Sequence, residues 1–302
     1  MLTKDMKENI INAWKEGYME TLEEKTKQIL KANHLYANKK LGQNFLINEE
    51  IIEDIVSKSE VSKDDLIIEI GPGLGSLTEA LLKKAGRVVC VELDQNMIEI
   101  LNKRFNNTSN FEIIHNDILK VDLNSLISER KKQYGLVKAK VVANLPYYIT
   151  TPIIMKLLEE KLDITSITVM VQKEVAQRLT AVPGDEFTGA ITYTINYYSV
   201  PSTIIDVPKE NFMPVPEVDS SVIQLKILKE PSVSVEDENL FFEIIKCAFM
   251  QKRKTIINSL TNSKLVEKEK IKLALEKMGL DDKIRAEKLT IEQFARLTSL
   301  IK

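Results

Sequence analysis

From Asp65 to Thr180 short apolar runs alternate with stretches of helical periodicity, and that alternation narrows the fold more than any other feature of the chain. Leu66 to Ile70, Arg87 to Leu93, Phe111 to His115, Val141 to Ala143 and Ile167 to Val171 read as strands. Leu74 to Lys84, Asp94 to Phe105, Thr151 to Glu160 (with Pro152 at its start) and Lys173 to Thr180 read as helices. Strands that are apolar nearly throughout are buried on both faces, and such strands belong to parallel sheets with helices on either side. The expectation is a doubly wound, mostly parallel α/β sheet. Ile191 to Tyr198 and Ser220 to Leu228 read as a closing pair of strands. Beyond Pro231 the periodicity is purely helical to Lys302, with Thr290-x-x-Gln293 as a capping box. Met1 to about Asn38 is charge-rich and helical, with Ile10, Ile11, Trp14, Tyr18 and Leu22 as its apolar stripe. Asn48 is expected to cap a helix from Glu49 to about Ser59. The chain thus divides into an N-terminal helical extension over 1–38, a sheet domain over 39–230 and a small all-helical domain over 231–302.

Several function classes fall away on composition. No apolar run is long enough to cross a bilayer, and Met1 to Glu24 is charged with no hydrophobic signal core, so a cytoplasmic protein without a membrane partner is expected. Cys90 lies in an apolar strand and Cys247 in an amphipathic helix; both read as buried thiols and not as a disulfide framework. His34 and His115 are the only imidazoles, which argues against a His/Cys metal site, and no metal is expected. The net charge is −2, yet Glu243 to Lys288 carries twelve Lys or Arg against seven Asp or Glu. Local fields steer polyanions, so this basic C-terminal stretch outweighs the overall balance.

Gly71-x-Gly73-x-Gly75 follows the first strand and opens a helix. Glycines there allow a tight turn and close approach of the backbone to a ligand. Glu92 ends the next strand, where a carboxylate can accept both hydroxyls of a ribose. Asp117, after the third strand, can accept a hydrogen bond from an adenine amine. Nicotinamide enzymes also use a glycine loop with a downstream acid. Here the spacing is Gly-x-Gly-x-Gly with Pro72 in the second slot, which favours a methyl donor that has no pyrophosphate to cradle.

Asn144-Leu145-Pro146-Tyr147 follows the fourth strand, on the same edge of the sheet. The Asn144 side-chain oxygen and the Leu145 carbonyl can hold the protons of a flat exocyclic amine, on a turn stiffened by Pro146, while Tyr147 stacks on the base. A base within a helix must leave its stack to react, which calls for a second aromatic wall. Phe212, in the Pro-rich stretch Asn211 to Pro216, is the candidate. Together these residues point to methyl transfer from S-adenosylmethionine to a nucleic-acid base. Lys252-Arg253-Lys254 is the sharpest basic cluster and is suited to phosphate contact.

In these motifs the chain resembles the ribosomal RNA adenine-N6 dimethyltransferases that modify two neighbouring adenines near the 3′ end of small-subunit (16S) rRNA. The resemblance runs from about Thr26 to Lys302 through Lys40-Leu41-Gly42-Gln43-Asn44-Phe45-Leu46, Glu69 to Gly75, Val91-Glu92-Leu93-Asp94, Asn116-Asp117, Asn144 to Tyr147, Phe212-x-Pro214-x-Pro216-x-Val218-Asp219-Ser220 and Ala248-Phe249-x-Gln251-x-Arg253-Lys254. It implies a Rossmann-like class I methyltransferase domain and a helical C-terminal domain that grips rRNA. It further implies cofactor contacts at Asn44, Leu46, Gly71, Glu92, Asp117 and Asn144, and a monomer acting on a 30S or pre-30S particle. Tyr148 departs from the smaller polar residue expected of many relatives. Three rival readings stay open: a large-subunit rRNA dimethylase of the antibiotic-resistance type, a nucleotide-dependent dehydrogenase, and a non-catalytic ribosome-assembly or nucleic-acid-binding factor on the same fold.

Overall fold

The computed structural model of the chain describes residues 20–35, 42–251 and 253–302. Ile10, Ile11, Trp14 and Tyr18 of the N-terminal stripe, Lys39 to Leu41 and Lys252 lie outside these residues. Among the described residues the strands are β1 (Phe45–Leu46), β2 (Asp65–Ile70), β3 (Arg87–Glu92), β4 (Phe111–His115), β5 (Lys138–Asn144), β6 (Ser166–Gln172), β7 (Ser199–Val207), β8 (Phe212–Met213) and β9 (Ser220–Ile227). Seven of them form one sheet in the order β4-β3-β2-β5-β6-β9-β7, and β1 pairs with β8 in a separate ribbon. Strands β4 to β6 run parallel across the sheet, while β9 is antiparallel to both β6 and β7.

Both faces of the sheet are covered, as the unbroken apolar strands require. Ile68, Val89, Val141 and Val169 point into one core, while Ile67, Val88, Val142 and Met170 point into the other. This two-residue alternation follows from the pleat. One core is closed by α5 (Leu123–Tyr134) and α6 (Thr150–Glu159), the other by α2 (Glu49–Lys58), α3 (Ser76–Lys84) and α4 (Gln95–Phe105). Asn48 caps α2 by accepting from the Glu50 and Ile51 amides, as expected. Helix α1 (Leu22–Ala32) starts at a capping box between Thr21 and Glu24. Helix α7 (Lys173–Leu179) follows β6.

The stretch expected as the first strand of the closing pair is a helix, α8 (Ala190–Tyr198), and the strand is β7, which follows it. Tyr193 and Tyr197 pack into the C-terminal helical core, while Ile195 packs into the sheet core. A helix buried on two sides has no single apolar stripe, and its alternate large residues imitate a strand. Strand β7 contains Pro201 and lies at the edge of the sheet, where a missing amide is tolerated.

The C-terminal core is built by α9 (Glu238–Phe249), α10 (Ile256–Asn262), α11 (Lys268–Lys277) and α12 (Ile291–Ile301). Thr290 and Gln293 form the expected capping box of α12. Tyr193 donates its hydroxyl to the Leu289 carbonyl at 2.6 Å, tying this core to α8. Cys90 is buried, whereas Cys247 is only half-buried, because it lies at the margin of the stripe that α9 turns to the core. Among the described residues no helix is long and apolar enough to cross a membrane.

Candidate active site

Four neighbouring strands, in the spatial order β4, β3, β2, β5, end at one edge of the sheet and present Asp117, Glu92, Gly71 and Asn144 side by side. Carboxyl ends of parallel strands are where open α/β sheets bind ligands. All four residues line one pocket, together with Asn44, Leu46, Gly73, Leu145, Pro146 and Tyr147. The motifs are separated in sequence and are gathered by strand order alone.

The glycine loop is shaped by left-handed backbone. Gly75, at φ +85°, caps α3, and a Cβ on it would lie 2.6 Å from Leu101 Cδ2 and 2.8 Å from Phe105 Cε2. Only glycine fits that junction. A Cβ on Gly73 would stand 3.2 Å from the Phe45 ring, so the loop and the β1 segment meet across the pocket.

Glu92 is 8% exposed. Its Oε1 accepts from the Leu93 and Asp94 amides at 2.8 and 2.9 Å, and its Oε2 accepts from the Gly73 amide at 3.3 Å. Burial pushes this carboxyl above its ordinary value, and the three amides pull it back. Asp117 caps a short 3-10 turn by accepting from the Leu119 amide through Oδ1.

Asn144 donates its side-chain amide to the Asn44 carbonyl at 3.2 Å. Among the described residues its Oδ1 takes no hydrogen bond. The Leu145 amide donates to the Met170 carbonyl, fixing the turn to β6. The Tyr147 hydroxyl lies 2.7 Å from Ser220 Oγ, at the start of β9, and burial raises its pKa.

Phe212 does not join this site. Its ring is 1% exposed, packs in the sheet core and is absent from the pocket lining. The cause is the β1–β8 ribbon, in which Phe212 pairs with Leu46 and is turned inward. Arg253 and Lys254 are exposed in the turn between α9 and α10 and stand apart from the pocket. Among the described residues neither makes an ion pair.

Three lining residues stand in or beside the motifs but carry no assigned role in the sequence reading. Gln43 donates its amide to Asp94 Oδ2 at 2.8 Å and clasps the N-terminal loop to the β3–α4 connection. Glu69, buried within β2, accepts from Cys90 Sγ at 3.4 Å, and burial pushes its carboxyl up to about 7. An acid inside an otherwise apolar strand was the available signal. Tyr148, next to Tyr147, lies at the pocket mouth.

The pocket is lined by the carboxyl groups of Glu69, Glu92 and Asp117, and among the described residues it has no Lys, Arg or His. Three carboxyl groups with no basic side chain suit a cation bearing hydroxyls and disfavour a polyanion by charge.

Comparison with known proteins identifies the family. The family model for ribosomal RNA adenine dimethylase matches residues 34–302. A protein of Clostridium perfringens named ribosomal RNA small subunit methyltransferase A is 46% identical over 277 residues, covering 92% of this chain and 95% of the relative. One of the same name from Alkaliphilus metalliredigens is 44% identical over 275 residues, covering 91% and 95%. Among solved structures, a dimethyladenosine transferase from Plasmodium falciparum superposes with a TM-score of 0.68 at 24% identity, covering 83% of this chain and 94% of the other. The 23S rRNA methyltransferase ErmE gives 0.65 at 24% identity, covering 85% and 99%. At that identity the two structures speak for the fold alone.

Proposed function

The chain belongs to the ribosomal RNA adenine dimethylase family, and on that premise we propose that it uses S-adenosylmethionine to dimethylate N6 of two adjacent adenines near the 3′ end of small-subunit rRNA. The observation that carries the cofactor assignment is the acidic pocket, whose described lining holds no basic side chain. Glu92 is positioned to accept ribose hydroxyls, and Asp117 the adenine amine through its second oxygen. Gly71, Gly73, Asn44 and Leu46 form the remaining cradle. When bound there, S-adenosylmethionine supplies an electrophilic methyl group on a cationic sulfur.

The work of the chain's own residues is then positioning. Asn144 is held through its amide nitrogen by the Asn44 carbonyl, and this supports the reading in which its oxygen takes the target amine. That oxygen and the Leu145 carbonyl accept the amine protons and favour a pyramidal nitrogen whose lone pair can attack. With the donor bound, the oriented amine would take its methyl group, give up one proton to solvent and leave the donor as the neutral thioether. Tyr147, anchored at Ser220, offers its ring face to the base. Orientation and preorganised acceptors supply the rate gain, and no strong base is required. Phe212 supports this machinery from the core by holding Leu46 in register.

Relatives named for the small subunit, at 44% and 46% identity over most of the chain, favour that substrate over the large subunit. The basic helical region over 231–302, including Lys252, Arg253 and Lys254, is the part assigned to rRNA contact, and the sheet region over 39–230 to chemistry. The setting is cytoplasmic, the partner a 30S or pre-30S particle, and the enzyme acts as a monomer. Labelled methyl groups offered with unmethylated small and large subunits test the reading: label should enter the small subunit, and label confined to the large subunit would replace it with the large-subunit alternative.

A further inference from the structure

Tyr148 is 59% exposed at the mouth of the pocket, immediately after the residue assigned to the target base. Tyr147 and Tyr148 both lie in a 3-10 turn, Tyr147–Ile149. Successive side chains of such a turn point about 120° apart, so the two rings cannot share one wall. Tyr147 reaches back to Ser220. Tyr148 instead lies against Gly42, where an added Cβ would stand 3.4 Å from its Cδ1. The bare backbone of Gly42 thus lies beside the ring, and most of the residue stays exposed. Among the described residues its hydroxyl takes no hydrogen bond, so none of them holds the ring in place by a polar contact.

An exposed ring at the mouth of a base pocket is a stacking platform. Every nucleobase has a π-face, and base–aromatic stacking is tolerant of sequence. A nucleotide flipped into the pocket stays covalently joined to its neighbours, which must remain at the mouth. We propose that Tyr148 stacks the nucleobase adjoining the target adenine and so positions the strand during methyl transfer. This rests on the proposed function and deepens it. With two adjacent adenines as targets, the platform holds one while the other occupies the pocket.

The test uses the full chain and its Tyr148→Ala, Tyr148→Phe and Tyr148→Trp variants. Steady-state methyl transfer to unmethylated small subunits is measured beside S-adenosylmethionine binding by calorimetry. Loss of one stacked base should raise the KM for subunits by roughly five- to a hundredfold in Tyr148→Ala. Cofactor affinity should stay at the wild-type value, and Phe and Trp should restore the KM. A wild-type KM in Tyr148→Ala would overturn the platform, as would a loss of cofactor affinity with the subunit KM unmoved, which would make the ring a cover for the cofactor. Failure of the wild-type chain to label small subunits would overturn the proposed function and the platform together. It is distinguishable because labelling is then absent before any substitution is made.

Discussion

The Asn144 side-chain amide donates to the Asn44 carbonyl at 3.2 Å, joining the end of β5 to the loop that precedes β1. In the proposed function this one residue both orients the reacting amine and holds down a wall of the pocket. Asn144→Ala should slow single-turnover methylation on the order of a hundredfold, the scale seen when one preorganised polar group is removed. Cofactor binding should weaken as well, because the Asn44 loop loses its tether. A wild-type single-turnover rate would remove Asn144 from the chemistry.

Glu92 offers a simpler readout. Its carboxylate is held by three backbone amides, so its position does not depend on a ligand. Hydrogen bonds to a charged group are worth about 1.5–3 kcal/mol, so Glu92→Ala should raise the Kd for S-adenosylmethionine at least about tenfold. Calorimetry on a folded variant with unchanged affinity would place the ribose elsewhere.

Tyr147 and Phe212 separate a site aromatic from a core aromatic. Tyr147→Ala should lower methyl transfer by roughly five- to a hundredfold through lost stacking, with thermal stability little changed. Tyr147→Phe should keep most activity while losing the Ser220 contact. Phe212→Ala should instead destabilise the fold by about 3–5 kcal/mol, visible in denaturant unfolding. A Phe212→Ala chain of wild-type stability that has lost only methyl transfer would return that ring to the base pocket.

Glu69 makes stability depend on pH. Its folded pKa, about 7, lies above the ordinary 4.5 because the group is buried. Between those values the folded chain holds more protons than the unfolded chain, so stability falls as pH rises through this window. The loss should be on the order of 3 kcal/mol in all. Glu69→Gln should flatten the curve between pH 5 and 8. Parallel curves for variant and wild type would mean that the group titrates at its ordinary value.

The basic cluster is read by salt. Replacing Lys252, Arg253 and Lys254 with Ala should weaken subunit binding and lower the slope of log affinity against log salt by up to about 2, as fewer counterions are released. Cofactor affinity should be untouched. An unchanged slope would mean that these residues make no phosphate contact.

The parts of the site that could be read directly from the sequence are those whose structure is local. Gly71, Glu92, Asp117 and Asn144 each follow an apolar strand, and a strand end adjoining turn residues can be recognised without knowing the neighbours. Parallel order then brings them to one edge. What escaped depends on tertiary partners. Phe212 looked like a loop aromatic because nothing nearby in sequence announces its pairing with Leu46. The α8 segment looked like a strand because it is buried by two cores at once. Helix α5 was passed over because its apolar positions, Leu123, Leu126 and Ile127, are confined to its first half. The Gln43–Asp94 clasp joins residues 51 positions apart.

The most direct measurement is nucleotide mapping of small-subunit rRNA after incubation of unmethylated subunits with the chain and S-adenosylmethionine. The expected result is N6,N6-dimethyladenine at two adjacent positions near the 3′ end, formed far more slowly when Asn144→Ala replaces the wild type. Small-subunit rRNA that carries no new methyl group, or methyl groups on another base, would contradict it.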